Sequence, residues 1–216
     1  NAYGEVIPEC HVAIIDEAHQ LEDVATQYFG ISVSSYRVDD LALDGDRLLA
    51  SGAVADDPQD VRRALGRLRD RGAVFFSRLQ ALQAAVASPA SADDRIRLNQ
   101  AALGAVREPG AGLSEALDEL QGAIALLGQA GEDAQAIGRR AGELRDDVGF
   151  LLRAADPDFV YYLEVRGRGI FLRASPIDVS AIVRELLLDR MQATVLASAT
   201  LSVAGSFAYV RDRLGI

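Results

Sequence analysis

Lysine is missing from the chain: its 22 basic residues are all arginine, spread over 216 positions. A loop that cradles nucleotide phosphates needs glycine-rich backbone and a lysine that reaches the β- and γ-phosphates. The chain therefore contains no such loop. Cysteine is nearly absent as well. Cys10 alone excludes an internal disulfide and agrees weakly with a reducing compartment. It also excludes a self-contained iron–sulfur cluster, which is normally held by several thiolates. No apolar run approaches the roughly 20 residues that a membrane span requires, so no membrane is expected as a partner. Asn1-Ala2-Tyr3-Gly4 has neither the basic flank nor the apolar stretch of a secretion signal. It also lacks an initiating methionine, and the chain is expected to be an excised piece. A surface that is basic all over is excluded by the net charge of −10, and with it strong unassisted binding to nucleic acid.

What is present changes in texture along the chain. His11-Val12-Ala13-Ile14-Ile15 is a short apolar run that ends abruptly in two carboxylates, the pattern of a buried parallel strand opening onto a site. Cys10 is expected as a buried residue of that strand. Leu21, Val24, Ala25, Tyr28 and Phe29 follow at helical spacing, with Gly30 as a stop. Three long segments then keep a 3.5-residue period. These are Val61 to Val86, Leu113 to Leu127, and Ile137 to Leu151. That period gathers the apolar side chains into one seam per helix, as in an antiparallel bundle. A less regular helix is expected around Ile96, Leu103 and Val106. Ser88-Pro89, Glu108-Pro109-Gly110, Gly128 to Gly131 and Asp156-Pro157-Asp158 are read as breaks. Residues 31–156 thus form a helical bundle.

Beyond it, Phe159 to Val165 and Ile170 to Leu172 flank Arg166-Gly167-Arg168-Gly169 as a hairpin. A helix is expected from Val179 to Asp189. A second buried-strand run, Ala193 to Ala197, ends in Ser198-Ala199-Thr200, and a last helix carries Phe207, Val210 and Leu214. Strand–helix elements at both ends with helices between them predict one α/β sheet interrupted by an insertion.

Two motifs carry chemistry. Asp16-Glu17-Ala18-His19 sits directly after the first strand, where phosphoryl-transfer motors need one carboxylate for Mg²⁺ and a second to orient and deprotonate water. The same residues read blandly as the acidic first turn of a helix. Ser198-Ala199-Thr200 follows the second strand; alone, such a strand end is more often a simple helix cap than a coupling element. Together, at two strand ends, they point to a nucleotide site.

Ile14-Ile15-Asp16-Glu17-Ala18-His19-Gln20-Leu21-Glu22, with Leu196-Ala197-Ser198-Ala199-Thr200-Leu201-Ser202 far downstream, resembles the DinG/XPD family of superfamily 2 helicases. Ser175-Pro176-Ile177-Asp178-Val179 is similar to that family's return segment. The resemblance implies an α-dominated α/β fold in which a partial RecA-like motor sheet is interrupted by a helical Arch insertion. Residues 1–30 and 157–216 would belong to the first motor domain, and 31–156 to the Arch. It implies that Asp16-Glu17-Ala18-His19 is the Walker B (DEAH) box and Ser198-Ala199-Thr200 is motif III. Asp16 would hold Mg²⁺ and Glu17 would activate water. His19, Ser198 and Thr200 would couple nucleotide state to DNA. ATP and Mg²⁺ are the implied cofactors; any iron–sulfur cluster would lie in a segment upstream of this chain.

The activity implied is ATP-dependent 5′–3′ DNA unwinding in repair or replication, with single-stranded DNA or duplex junctions as partners. A protein partner on the Arch and a bacterial cytoplasmic, nucleoid-associated location are implied as well. Without a lysine, the chain alone is expected to be an inactive piece of the hydrolase. Arg62, Arg63, Arg67, Arg69 and Arg71, with Arg78, concentrate positive charge on the longest helix. They read either as nucleic-acid contacts or as a solvated face countered by nearby acids. The competing function is a helical scaffold or adaptor without nucleotide chemistry.

Overall fold

The computed structural model describes residues 10–51, 59–86, 95–127 and 131–216. Asn1 to Gly4, the Ser88-Pro89 break and Gly128 lie outside them. The chain separates into two compact units, one built by residues up to 30 together with those from 175 onward, the other by Ile31–Ala174. The fold is α-dominated α/β, rich in helix with small sheets.

In the first unit, β1 (Val12–Ile15) is followed by a 3₁₀ turn (Ala18–Gln20) and α1 (Leu21–Tyr28). The second unit opens with β2 (Ile31–Ser34) and α2 (Ser35–Ala50), then α3 (Gln59–Val86), β3 (Arg95–Arg97), α4 (Gln100–Gly104), α5 (Arg107–Ala125) and α6 (Glu132–Arg153). It closes with β4 (Phe159–Arg166) and β5 (Gly169–Pro176). The first unit resumes with α7 (Ser180–Val183), which runs on as a π-helical turn over Arg184–Leu188, then β6 (Ala193–Leu196) and α8 (Ala208–Leu214).

The two ends of the chain meet as the motif spacing predicts. β1 and β6 pair in parallel, with Val12 opposite Ala193 and Ile15 opposite Leu196. The pairing continues past both strand ends, where Ala197 N donates to Ile15 O (2.9 Å) and Ala18 N to Ala197 O (3.0 Å). These strands are not buried, contrary to the expectation. Ala13, Ile15, Thr194 and Leu196 are half-covered, but Val12, Ile14 and Val195 are 55%, 75% and 51% exposed. Parallel strands are buried only when helices cover both faces. Here the small core of Ala25, Val179, Val183 and Leu214 packs with Leu196, on the half-covered face. Cys10 precedes the strand rather than lying in it; it is half-buried, with Sγ 3.9 Å from Met191 Sδ.

In the second unit, the heptad seams are buried along most of their length, but not at the end of α3, where Leu82 is half-buried and Val86 is exposed. Val61, Leu65, Leu68, Gly72, Phe75 and Leu79 of α3 are buried, and so are Leu113, Leu117, Leu120 and Ile124 of α5. Ile137, Ala141, Leu144, Val148 and Leu151 of α6 complete the shared core. α5 packs on α3 and α6, while α2 packs on α3 and α6. Gly110 leaves room for Leu152 of α6, because a Cβ there would stand 2.3 Å from Leu152 Cδ1 and that side chain would have to shift.

Three local expectations are corrected. Residues 31–156 are not all helical, since β2 and β3 join β5 and β4 in a four-stranded sheet of order β2-β5-β4-β3. Ile96 is a strand residue, not a helical one. Glu108-Pro109-Gly110 does not break a helix but lies at the start of α5; Pro109 falls among the first backbone positions whose N–H would have no intrahelical partner, so proline removes nothing there, and the Gly110 N–H donates to Val106 O at 2.9 Å. Finally, the hairpin of β4 and β5 packs with the helices: Tyr161, Leu163, Ile170, Leu172 and Ala174 all enter the bundle core. The division between units therefore falls after Ala174, later than the break at Asp156-Pro157-Asp158.

Candidate functional site

The chain leaves β1 through two carboxylates and must turn at once, because Ala18 is tied to Ala197. Glu17 makes that turn in the left-handed conformation, φ 52° and ψ 39°. The Asp16 carboxylate folds back, Oδ1 accepting from Glu17 N at 2.9 Å. Glu17 is aimed the other way, at the end of β6.

Three side chains from the two motifs converge there. His19 Nδ1 lies 2.8 Å from Ser198 Oγ, which in turn is 3.4 Å from Glu17 Oε2. His19 Nδ1 and Glu17 Oε2 are 3.2 Å apart. Thr200 N points to Ser198 Oγ at 3.4 Å. A serine hydroxyl has one proton to give and two lone pairs. It is used fully if Nδ1–H of His19 and the Thr200 amide donate to it while it donates to Glu17. That assignment puts the neutral histidine proton on Nδ1. Of the five residues expected at the site, Glu17, His19 and Ser198 join through side chains and Thr200 through its backbone. The Asp16 carboxylate is engaged by the Glu17 amide instead. The Glu17 side chain is 60% exposed and that of His19 38%, so the cluster is open to solvent and to a ligand.

Among the described residues no group of three or more His, Cys, Asp and Glu side chains is placed to hold a metal ion. Mg²⁺ does not need one. It keeps several waters and is held by one or two carboxylates plus substrate phosphates. Asp16 fits that mode: one oxygen is engaged by the backbone at an exposed strand end, and the other is left for an ion.

The arginines of α3 are all exposed, and acids meet several of them. Arg63 pairs with Asp60 (3.1 Å), Arg67 with Glu119, and Arg69 with Asp46 while also donating to Ala42 O (3.2 Å). Arg67 and Arg71 line a groove of about 540 Å³ shared with Asp70, Glu115 and Glu119. Arg62, Arg71 and Arg78 have no ion pair among the described residues. This helix face carries both signs.

One charged cluster had no signal in the sequence. Glu164 on β4 is 1% exposed. Its Oε1 accepts from Arg95 Nε (2.8 Å) and Arg166 Nε (2.8 Å), and Arg173 Nε lies 3.3 Å from Oε2. Burial pushes its carboxyl up, but the Arg95 hydrogen bond, the charges of Arg173 and Arg95 and the Arg166 hydrogen bond outweigh that and hold it below the usual range.

No protein-family profile matches the chain. Along its whole length it is similar to the ATP-dependent DNA helicase YoaA of Escherichia coli (strain K12), with 31% identity over 222 aligned positions. It is similar in the same way to ATP-dependent DNA helicase YoaA of Haemophilus influenzae (strain ATCC 51907 / DSM 11121 / KW20 / Rd), with 28% identity over 216 positions. All of this chain is aligned in both cases, against 32% of each relative. The chain spans about a third of the length of the curated relatives it matches.

Proposed function

We propose that this chain is part of an ATP-dependent DNA helicase of the DinG/XPD kind. In this reading, residues up to 30 and from 175 belong to its first motor domain, and Ile31–Ala174 is the helical Arch insertion. One observation carries the reading. Two motifs some 180 residues apart meet at adjacent ends of a parallel strand pair, with Glu17, His19 and Ser198 in hydrogen-bond contact. The homology to YoaA helicases along the entire chain supports it.

The geometry supports the following roles. Asp16 would hold Mg²⁺, which when bound supplies charge neutralisation at the transferring phosphate. Glu17 orients the attacking water and takes its proton. Taking that proton removes the negative charge that holds the Ser198 hydroxyl. The change passes to His19 and, through the Thr200 amide, to the segment after β6. Hydrolysis is thereby felt where a strand can be gripped or released, in the 5′–3′ direction that the family resemblance implies. Such a motor acts on single-stranded DNA or duplex junctions in repair or replication.

The test separates chemistry from coupling in the longer protein that carries this chain. Glu17→Gln is expected to lower DNA-stimulated ATP turnover by about 10²–10⁴-fold, the range for loss of a general base. Ser198→Ala is expected to keep turnover within several-fold and lose strand displacement. The 216-residue chain alone is expected to hydrolyse no ATP, since the phosphate-binding lysine is not in it. Turnover by this chain that disappears in Glu17→Gln contradicts the proposal.

A further inference from the structure

Within the first unit the two motif segments are tethered a second time, one turn beyond His19. α1 starts at Leu21, directly after the 3₁₀ turn that carries His19, and α8 closes the segment that follows Ser198-Ala199-Thr200. Each helix is short, eight residues in α1 and seven in α8, and helices of that length depend on packing. Leu21 and Ala25 of α1 join Val210 and Leu214 of α8 in one small apolar cluster. Beside it, Arg213 donates from Nε (2.8 Å) and from Nη2 to the same oxygen, Oε1 of Glu22. The Glu22 side chain is 23% exposed and that of Arg213 35%, so salt and water screen the pair less than a fully exposed one.

Arg213 also acts on a third segment. α8 ends at Gly215 with φ 70°, and a Cβ there would stand 2.5 Å from Ser180 O, so the end of α8 lies against the start of α7. Asp178 precedes α7, its Oδ1 accepting from Ser180 N at 2.8 Å. Against the effect of burial, the Ser180 hydrogen bonds and, more weakly, the Arg213 charge hold the Asp178 carboxyl below its usual range. The two tethers between the motif segments differ in kind. The contact of Glu17, His19 and Ser198 is exposed, and its hydrogen bonds change when Glu17 takes a proton. Glu22 and Arg213 are charges that take no part in that transfer. With α1 and α8 free to drift, the change would be absorbed by relaxation around His19; with the helices held, it is directed into the residues between Ser198 and α8. Helix dipoles favour an acid in the first turn of α1 and a base in the last turn of α8. That accounts for each charge separately, but not for two Arg213 donors meeting one oxygen of another helix.

We infer that Glu22 and Arg213 are positioning residues: their ion pair sets α1 against α8 so that His19 meets Ser198 and proton transfer at Glu17 is passed to the segment after β6. The use of the pair in coupling rests on the helicase reading proposed above, whereas its hold on His19 does not.

Ring-nitrogen NMR of the complete chain tests that hold without ATP, because His11 and His19 are its two histidines. In the parent, His19 is expected as the Nδ1–H tautomer that its contact with Ser198 selects. Arg213→Gln should move His19 largely to the Nε2–H tautomer, leave His11 unchanged and shift the thermal melt by no more than about 4 °C. Arg213→Lys, which keeps the charge, should stay nearer the parent. In the longer protein that carries this chain, Glu22→Gln and Arg213→Gln should each lower the base pairs separated per ATP hydrolysed by at least about fivefold, the low end for lost coupling between two sites. The KM for ATP and the turnover without DNA should stay near those of the parent. Both substitutions together should be no worse than Arg213→Gln alone, since they act on one contact. An unchanged His19 tautomer in Arg213→Gln overturns the inference, as does a parent-like yield of strand displacement per ATP. A larger fall in the melt, with turnover lost as well, would make the pair purely structural and overturn it too. A parent protein without ATP-driven strand displacement would instead defeat the helicase reading, and the His19 tautomer would still decide the positioning.

Discussion

Glu17 is held at φ 52°, a conformation that costs a residue with a Cβ roughly 1–2 kcal/mol. The strain has an identifiable source, because Ala18 N must reach Ala197 O one residue after the strand ends. It also has a use, since the same turn brings the carboxylate within 3.4 Å of Ser198 Oγ. Glycine takes this conformation freely. Glu17→Gly is therefore expected to lose ATP turnover in the longer protein while leaving the stability of the β1–β6 pair equal or higher, by up to about 1 kcal/mol. Urea unfolding of the chain, read alongside Glu17→Gln, checks it; a loss of more than about 1 kcal/mol in Glu17→Gly would show that the carboxylate supports the turn instead of being strained by it. The residue types at this site were legible in the sequence. The left-handed backbone was not, because nothing in a glutamate between an aspartate and an alanine announces it; only the long-range bond to Ala197 requires it.

At the scale of elements, periodicity exposed α3, α5 and α6, whose seams are dense in leucine. It missed α2, whose buried positions include Ala42 and Gly45, side chains too small to mark an apolar stripe. It missed β3 because Arg-Ile-Arg has no apolar run; the strand exists through its pairing to β4. Glu164 was illegible for the same reason, as its three arginines come from three places in the chain. The acid response of the sheet depends on this group. A carboxyl held below its ordinary value of 4.5 contributes stability that is complete above that pH and declines as pH falls through the lowered value. Glu164→Gln leaves three guanidiniums crowded without their counter-charge. Removing one partner of a buried pair costs about 3–5 kcal/mol, and the solvent access of Arg95 and Arg166 favours the low end, about 3 kcal/mol. The difference between parent and Glu164→Gln in denaturant unfolding should be largest near pH 7 and shrink as pH drops below 4.5. A difference that stays constant down to the acid limit would separate Glu164 from the sheet's stability.

Considered as a whole, the molecule distributes its core unevenly. The unit Ile31–Ala174 gathers more than twenty buried apolar side chains into one cluster, including Phe75, Leu117 and Leu151. The other unit has Ala25, Val179, Val183 and Leu214 as its buried apolar cluster among the described residues, with one face of β1 and β6 left in solvent. This asymmetry reverses what the sequence predicts for the two apolar strands, whose composition reads as fully buried; composition records what a strand is suited to, and cover depends on what lies against it. Local stability follows buried contacts, and amide exchange reports it unit by unit. Amides in the middle of α3, α5 and α6 should exchange slowest, in a single cooperative class. Those of β1 and β6 should exchange at least about 100-fold faster, which corresponds to roughly 2.7 kcal/mol less protection. Hydrogen–deuterium exchange on the complete chain, resolved by peptide, measures both classes at once. Adding urea below the global transition should erase protection in β1 and β6 first while the helices keep theirs. If the strand pair instead exchanges as slowly as α5 and loses protection with it, the chain unfolds as one unit. The protection of the strand pair would then not come from its own small core alone.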